Sequence, residues 1–335
     1  MGLQIGNIVP RKEVKFEELR GKIIAVDAYN AIYQFLASIR QPDGTPLMDS
    51  KKRITSHLSG LFYRNVALMF EGIKLIYVFD GEYNRLKRRT HEIRENAKHE
   101  AQEKYEKAVE EEDIGAMGKY ARGFVKINDE MINESKELLE AMGISIVQAP
   151  GEGEMQCAQL VKDGEAYAVG SQDYDSLVVG GKRLIQNLTL ARKRKTRGGI
   201  IYIAPEMVEY DKVLHSLGID ADQLICLAIL VGTDFNPGGV KGIGPKKALA
   251  LVKEKKYPVA IFRALEGKID FDWKAVFEIF KKPNVNGIKV EFPKLDRDKV
   301  KNILAKGHDF SLERVEKRLD KLQEIKKESA QKKLF

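Results

Sequence analysis

Acidic residues recur at points of the sequence where short apolar runs end. They are Asp27, Asp80, Glu152, Glu154, Asp173, Asp175 and Asp234. Carboxylate ligands without His or Cys are typical of a site for a hard cation such as Mg²⁺ or Mn²⁺, and this number of acids suits two ions. The corresponding reaction class is phosphodiester hydrolysis, in which one ion activates water and the pair stabilises the entering and leaving oxygens.

Each acid taken singly also has a purely structural interpretation. An acid between a strand and a helix is commonly an N-cap or first-turn residue, and Asp234 alone would be a turn residue. Capping requires one acid per helix, however, whereas Glu152/Glu154 and Asp173/Asp175 are pairs. In extended or turn backbone the members of such a pair point the same way, and they repel one another unless cations lie between them. We therefore expect a metal site, which Asp234 joins if the fold brings it there.

A glycine-rich segment further along the chain could bind phosphate. Gly242 and Gly244 precede a proline, and Lys246 and Lys247 follow it, a pattern that predicts a helix N-terminus with free N–H groups and lysines in its first turn. Such a terminus would hold a duplex backbone without regard to base sequence. A plain loop-to-helix turn with solvated lysines is the alternative.

A second basic pair lies in the highly charged segment after Asp80. Lys87 and Arg94 are seven residues apart and would share one face of a helix that begins just after Asp80. Cations there could neutralise the scissile phosphate, or they could belong to an ordinary solvated face. Tyr33, six residues after Asp27, could stack on a base near the cleavage point, or it could be a core aromatic.

Apolar runs alternating with helical patterns would position these residues. The runs cover residues 23–26, 75–79, 144–147 and 166–169. Their β-branched and aromatic content predicts buried parallel strands, so the fold class is α/β, with a mostly parallel central sheet and helices on both faces. Because the carboxyl ends of parallel strands meet at one edge, the acids that follow the runs should converge there.

The remaining segments are mostly helical by pattern. Residues 81–130 form a charged insertion between the second and third strands, helical by propensity but with little to bury, and it ends in a helix over 128–142. Runs at 184–188 and 200–203, separated by the basic loop 192–199, predict a long hairpin at a sheet edge. Beyond these runs, helical periodicity dominates up to a C-terminus that we expect to fray.

The composition of the chain argues against a disordered protein and against a membrane protein. The chain has 335 residues, a formal net charge of +8 and 43% hydrophobic residues, which predict a folded chain of about two domain-sized units rather than a disordered one. No apolar run approaches the ~20 residues that span a bilayer, so we expect no membrane association. The basic balance suits a nucleic-acid partner or an ordinary surface. Cys157 and Cys226 are predicted to be reduced core thiols.

Taken together, the motifs resemble those of archaeal flap endonucleases. The resemblance runs essentially from Gly2 to the C-terminus. Its motifs are VDA at 26–28, YVFDG at 77–81, APGEGE at 149–154, SQDYDS at 171–176, GTDF at 232–235 and GIGPKK at 242–247. It implies a structure-specific 5′-flap endonuclease with 5′–3′ exonuclease activity, acting in Okazaki-fragment processing and base excision repair, in the cytoplasm and associated with the nucleoid.

The resemblance also implies roles for individual residues. The seven acids would hold two Mg²⁺ ions, directly or through water, with Mn²⁺ able to substitute. Lys87 and Arg94 match the family's catalytic arch cations, Tyr33 matches its base-stacking tyrosine, and Gly2 matches its processed N-terminus beside the active site. The segment 242–247 resembles a helix-two-turn-helix element that holds K⁺ and the downstream duplex.

Two further regions are implied to bind partners. Residues 41–64, which include Arg53, resemble the wedge and pocket that bend the DNA junction and accept a one-nucleotide 3′ flap. Gln331 and Leu334 resemble the start of a sliding-clamp motif, which is incomplete here, so weakened clamp binding is expected. The protein is expected to act as a monomer on branched DNA with a 5′ flap.

The implied domain organisation has five parts. They are an N-terminal nuclease region (1–104), a helical arch insertion (81–130), an internal nuclease region (140–222), a helix-two-turn-helix region (223–310) and a C-terminal helix with the clamp-binding tail (311–335). The sequence departs from the family pattern after Gly81, where Glu82-Tyr83-Asn84 replaces the usual Lys-Pro-Pro, and at Gly151, which replaces Ser.

Two alternatives to the flap enzyme remain open from the residues. The exonuclease or Holliday-junction branch of the same superfamily shares the acids, although the short insertion favours the flap enzyme. A catalytically inert DNA-binding scaffold could use the same basic elements, but it gives no reason to keep seven acids near the path of the phosphates.

Overall fold

A seven-stranded sheet forms the centre of the fold. The computed structural model describes residues 3–189, 193–196 and 199–331. The strands are β1 (Lys12–Glu13), β2 (Ile23–Asp27), β3 (Lys74–Phe79), β4 (Ser145–Gln148), β5 (Ala168–Gly170), β6 (Arg183–Gln186), β7 (Lys193–Thr196), β8 (Gly199–Tyr202) and β9 (Glu206–Glu209). The central sheet has the order β1-β9-β6-β5-β2-β3-β4, and β7 and β8 form a separate antiparallel pair.

The strands from β4 to β6 across the sheet are parallel, and β9 and β1 add an antiparallel edge. Each of the four predicted strands is found to within two residues. Along β3, Leu75, Tyr77 and Phe79 pack into one hydrophobic core, and Ile76 and Val78 pack into another. Because alternate residues of a strand point to opposite faces, the two cores lie on opposite sides of the sheet. The predicted α/β fold class is confirmed.

Helices surround the sheet and make up most of the C-terminal third. Within the described residues they are α1 (Ala28–Ser38), α2 (Ser56–Phe70), α3 (Arg88–Glu110), α4 (Ile114–Tyr120), α5 (Asp129–Ala141), α6 (Gly153–Lys162), α7 (Asp175–Val178), α8 (Tyr210–Leu217), α9 (Ala221–Val231), α10 (Pro245–Lys255), α11 (Pro258–Arg263), α12 (Trp273–Lys281), α13 (Arg297–Lys301) and α14 (Leu312–Gln331). The predicted helix over 128–142 is confirmed as α5, with Asn128 as its N-cap.

The charged insertion is helical and thinly packed, as predicted. Along the 23 residues of α3 only Thr90 and Ala108 are buried. The helix does not begin just after Asp80, however, which corrects the prediction. The Asn84 side chain accepts a hydrogen bond from the backbone N–H of Leu86 and caps a 3₁₀ turn, Arg85–Lys87, so the α-helix begins at Arg88.

The predicted hairpin between residues 184–188 and 200–203 is wrong. The first run is β6, which lies inside the sheet between β5 and β9. Its antiparallel partner is β9, whose Val208 is buried beside Leu184 of β6. A strand in this position needs hydrogen bonds on both edges, and β9 rather than the run at 200–203 supplies the second edge. The basic segment predicted as a loop instead provides β7, which pairs with β8.

Two smaller predictions can be compared with the structure. Cys157 and Cys226 are both buried free thiols, as expected. Over the described residues, no single helix has both the length and the apolar character needed to cross a membrane; only α8 and α9 taken together, bent by 82°, meet those two criteria.

Candidate active site

The carboxyl ends of the parallel strands bring the predicted acids together. Asp27 is the last residue of β2, and its register partner Val78 lies two residues before Asp80, which follows β3. The third and fourth strands lead into the turns that carry the two acidic pairs. These acids therefore line one edge of the sheet, where strand ends in this class of fold leave a crevice.

Asn30 joins two of the acids. Its backbone N–H donates to Asp27 Oδ1 at 3.0 Å, and its side-chain Nδ2 donates to Asp173 Oδ2 at 3.2 Å. Asp27 therefore caps α1 and also faces the site. The capping role and the site role that the sequence suggested for it are compatible. The sequence reasoning missed Asn30. An Asn three residues after an acid at a strand end, where it can bridge to a neighbouring strand, is the signal that would have found it.

Asp80 is fixed by the start of α6. The backbone N–H of Gly153 donates to Asp80 Oδ1 at 2.6 Å. A Cβ atom at residue 153 would lie 2.7 Å from the same oxygen, so any other residue there would displace the Asp80 carboxylate. Gly81 is constrained in the same way, because a Cβ there would lie 2.1 Å from the carbonyl oxygen of Ala149. Both glycines stand within the motifs of the sequence analysis, but their packing role was not predicted.

Glu154 lies against the start of α7, whose first residue is Asp175. Glu154 Oε1 accepts a hydrogen bond from the backbone N–H of Ser176 at 3.3 Å. Asp175 Oδ1 is buried and has no hydrogen-bond partner. An unpartnered buried carboxylate oxygen is costly, so the site is built for a positively charged ligand.

Crowding and burial make these carboxylates weak acids. Burial, with the charge of Asp80, raises the pKa of Asp27 to about 8. Burial, with the charges of Asp234 and Asp173, raises the pKa of Asp175 to about 7. The pKa of Glu154 is also raised well above its usual value, mainly by burial. A cation bound among these groups would reverse the effect, because it stabilises their ionised form.

Two cations from the base of α3 reach the same edge. Lys87 Nζ contacts Glu152 Oε2 and lies 3.8 Å from Asp234 Oδ2. Arg94 Nη2 donates to both carboxylate oxygens of Asp234, at 2.8 and 2.7 Å. Burial alone would lower the pKa of Lys87, but the charges of Glu152 and Asp234 outweigh it and raise that pKa. The loop after α9 thus brings Asp234 to the same edge as the other acids, which was the condition for including it in the site.

Thr90 reinforces this contact and was missed by the sequence reasoning. Its hydroxyl donates to the backbone carbonyl of Asp234 at 2.6 Å, and the residue is 3% exposed. Thr90 lies three residues after Lys87 and four before Arg94, so all three share one helical face. That spacing is the signal that would have identified it. Lys87, Thr90 and Arg94 together dock the base of α3 against Asp234.

The chemical character of the acids suits a hard divalent ion. They supply only oxygen ligands, they include an unpartnered buried oxygen on Asp175, and burial together with their mutual repulsion raises their pKa values, which a bound cation would reverse. Among the described side chains, however, no three His, Cys, Asp or Glu are placed to coordinate one ion together. Lys87 pairs with Glu152, and Arg94 pairs with Asp234. These two acids can therefore serve as metal ligands only when the cations move away.

The structure places the predicted DNA-binding residues in different settings. Tyr33 is 39% exposed on α1, so its ring is accessible rather than a core aromatic. Lys246 and Lys247 are exposed in the first turn of α10, where Gly244 is the N-cap, and Gly242 has a φ of 81° that favours glycine. This is the helix N-terminus that the sequence predicted.

Arg53 is held in a protein contact. Its Nε donates to Asp49 Oδ2 at 2.8 Å, and its Nη2 contacts the backbone carbonyl of Gly307. The guanidinium therefore ties residues 49–53 to the segment before α14. Gln331 is the last residue of α14, while Gly2 and Leu334 lie outside the described residues.

Comparison with known proteins agrees with this geometry. The family model of the XPG N-terminal domain matches residues 4–101, and that of the XPG I-region matches residues 143–234. The chain is 50% identical over 334 residues to the flap endonuclease 1 of Pyrococcus furiosus, with 99% of this chain and 97% of that protein covered. It is 48% identical over 335 residues to the flap endonuclease 1 of Hyperthermus butylicus, with 98% and 96% covered.

Solved structures show the same fold. The flap endonuclease-1 from Methanococcus jannaschii superposes with a TM-score of 0.77 at 38% identity, covering 97% of this chain and 98% of that one. The catalytic core of Rad2, solved in complex with a DNA substrate, shares the fold with a TM-score of 0.70 at 24% identity, covering 96% and 100%. The chain is therefore a nuclease that belongs to the archaeal flap endonuclease family.

Proposed function

We propose that this protein is a structure-specific 5′-flap endonuclease with 5′–3′ exonuclease activity at the same site. The observation that carries the proposal is the contact of Lys87 and Arg94 with Glu152 and Asp234. Cations that lie directly against a carboxylate cluster can hold a phosphodiester where those carboxylates, or metal ions bound to them, can act on it. The family relationship supports the same reaction.

The site residues divide into those that hold metal and those that hold DNA. Asp27, Asp80, Glu154, Asp173 and Asp175 would bind two Mg²⁺ or Mn²⁺ ions, joined by Glu152 and Asp234. Bound ions would supply water activation and charge stabilisation for phosphodiester hydrolysis.

The chain's own cations act on the phosphate. When DNA binds, Lys87 and Arg94 exchange their carboxylate partners for the scissile phosphate, which leaves Glu152 and Asp234 free. The Arg94 side chain is 42% exposed and open to a phosphate, whereas the Lys87 side chain is 16% exposed and must move away from Glu152 to reach one. Tyr33, exposed on α1, would stack on a base beside the cut. Thr90 keeps the base of α3 attached to Asp234 during the exchange.

Other regions would dock the rest of the junction. The N-terminus of α10, with Lys246 and Lys247, is the proposed site for the downstream duplex, where K⁺ would assist. Residues 41–64 are the proposed wedge and 3′-flap pocket, with Arg53 contributing to its shape. The arch segment, residues 81–130, would enclose the 5′ flap.

The biological setting is also part of the proposal. The enzyme would act as a monomer in Okazaki-fragment processing and base excision repair, in the cytoplasm near the nucleoid. It would bind a sliding clamp weakly through Gln331 and Leu334.

A substrate panel tests the proposed activity. Labelled 5′-flap, nicked and four-way DNA substrates are incubated with the protein, each with Mg²⁺ and with a chelator. We expect cleavage of the 5′-flap substrate at the junction in Mg²⁺, slower removal of nucleotides from the nick, and neither reaction in chelator. Preferred cleavage of the four-way substrate would indicate a junction resolvase, and binding without cleavage would indicate an inert scaffold. Either outcome would overturn the proposal.

A further inference from the structure

An exposed aromatic pair lies at the start of the arch segment and has no role in the site described so far. The Tyr83 side chain is 55% exposed although it belongs to the short connection between β3 and α3. Its ring packs against the ring of His91, with 4.9 Å between centroids and an angle of 81° between planes. The edge-to-face contact fixes the orientation of the tyrosine and leaves much of it open to solvent.

The pair lies on the side of α3 that faces the active site. His91 is four residues after Lys87 and three before Arg94, so it shares a helical face with both cations. Those cations contact Glu152 and Asp234 directly. Burial and the positive charges of Arg94 and Lys87 lower the pKa of His91, which agrees with this placement.

An open cavity lies beside the backbone that leads into Tyr83. It has a volume of about 510 Å³ and is lined by Asp80, Gly81 and Glu82 after β3, by residues 148–150 at the end of β4, and by Asn284. Gly81 and Glu82 directly precede Tyr83, so the cavity and the aromatic ring belong to the same stretch of backbone. A cavity of this size leaves room for a nucleobase beside the backbone that carries Tyr83.

The combination is typical of single-stranded nucleic-acid binding. Such sites place cations along the backbone and an exposed aromatic ring where an unpaired base can stack. A duplex does not fit this arrangement, because its bases are already stacked. Lys87 and Arg94 supply the cations, and Tyr83 supplies a neutral ring that contacts His91, which lies one helical turn after Lys87.

We propose that Tyr83, supported by His91, is a stacking site for an unpaired nucleobase of the 5′ flap, next to the phosphate that Lys87 and Arg94 bind. The site would give the enzyme a hold on the flap itself, separate from its hold on the duplexes. This inference rests on the proposed function, since it takes the flap as its ligand. It assigns a positioning role to the Glu82-Tyr83-Asn84 stretch, where the chain departs from the usual family sequence.

A base-specific fluorescence measurement tests the site directly. A series of 5′-flap substrates carries 2-aminopurine at successive flap positions, and each is bound to the protein in chelator so that no cleavage occurs. Stacking quenches 2-aminopurine, so we expect one position close to the junction to be quenched by the wild type and by Tyr83→Phe but not by Tyr83→Ala. Tyr257→Ala is the matched control, because Tyr257 is 74% exposed at the start of α11, and it should keep the quench.

Cleavage kinetics separate stacking from a general structural effect. With Mg²⁺, Tyr83→Ala should raise KM for the 5′-flap substrate about fivefold or more, with kcat within twofold of wild type, and Tyr83→Phe should restore KM. An abasic nucleotide at the quenched position should raise KM for the wild type and leave Tyr83→Ala unaffected. If Tyr83→Ala raised KM by the same factor on intact and on abasic flaps, the stacking site would be overturned. A 2-aminopurine quench of equal size in the wild type and in Tyr83→Ala would overturn it as well. If the wild type failed to cleave flaps, the proposed function would be overturned instead. The fluorescence measurement is made without cleavage, so it tests the stacking site separately.

Discussion

The sheet edge and the base of α3 both contribute charged residues to the site, but the protein holds them very differently. At the sheet edge, hydrogen bonds from Asn30 and Gly153 orient Asp27, Asp80 and Asp173, which lie at the ends of buried strands. Over its full length, α3 buries only Thr90 and Ala108. The carboxylates are thus preorganised, whereas the cations are attached by a few polar contacts that a substrate can replace.

This difference suggests that the sheet edge and the base of α3 have separate roles, one in binding metal and the other in binding DNA. A metal site needs fixed ligands, and a fixed set of crowded acids is stable only with positive charge nearby. Without DNA, Lys87 and Arg94 provide part of that charge. We expect substitutions at the sheet edge to affect chemistry and pH-dependent stability, and substitutions at the basic elements to affect the capture of DNA.

The largest effect is expected from Asp175→Asn. If Asp175 binds metal as proposed, removal of its charge should slow flap cleavage about a thousandfold or more, because metal ions contribute several kcal/mol to such reactions. Junction binding, measured by fluorescence anisotropy, should stay within about twofold of wild type, since phosphate contacts set affinity. Asp211→Asn, an exposed acid in the first turn of α8, is the matched control. Retained turnover in Asp175→Asn would remove this residue from the metal site.

Loss of the arch cations should be the next largest effect. Lys87→Ala and Arg94→Ala should each slow single-turnover cleavage about a hundredfold, by loss of charge at the transition state. Because each cation now pairs with an acid of the site, its removal should also tighten Mn²⁺ binding in the absence of DNA. Arg88→Ala, which removes an arginine of α3 that pairs with Glu92, should change neither quantity. Unchanged Mn²⁺ affinity in both arch variants would show that the cations do not compete with metal.

A smaller effect concerns the stability of the metal-free protein. The pKa of Asp27 is about 8 and that of Asp175 about 7 in the folded state, against about 3.9 in an unfolded chain. Between about pH 4 and pH 8 the folded state therefore keeps protons that the unfolded state has released, so the free energy of unfolding falls as pH rises through that window.

Denaturant titrations in chelator at pH 5 and pH 8 measure this fall. We expect the wild type to lose on the order of 2 kcal/mol more than Asp175→Asn does between the two pH values, because the variant lacks one of the titrating groups. Equal losses in both proteins would mean that Asp175 is ionised in the metal-free folded state.

The smallest effect should come from the basic helix terminus. Lys246→Ala combined with Lys247→Ala should weaken junction binding about tenfold at low salt and reduce the slope of log affinity against log salt by about one to two. The rate of the bound complex should not change. Lys282→Ala, which removes a 79% exposed lysine that pairs with Glu278, serves as the control. A salt slope equal to that of wild type would mean that the two lysines are merely solvated.

The same contrast explains which features the sequence could predict. Strand-end acids such as Asp27 and Asp80 were predictable, because apolar runs locate buried strands and parallel topology brings their ends together. The start of α3 was not, since it depends on one local cap by Asn84. The pairing of β6 with β9 was also missed, because β9 is a four-residue strand with a glutamate at each end and lacks the apolar pattern of the run at 200–203.

Long-range contacts were the least predictable part of the site. The hydroxyl of Thr90 and the side chain of Arg94 meet Asp234 across 144 and 140 residues of sequence. Helical spacing places Lys87, Thr90 and Arg94 on one face, but nothing in that spacing identifies what the face will meet. The docking of α3 on Asp234 follows from the packing of the whole domain.

The proposed mechanism requires the carboxylates at the sheet edge to bind two divalent ions. A titration of the DNA-free protein with Mn²⁺, followed by electron paramagnetic resonance of the free ion, counts them directly. We predict two ions per chain for the wild type and fewer for both Asp27→Asn and Asp175→Asn. A wild type that binds no more than one ion, or variants that bind as many as the wild type, would contradict the account.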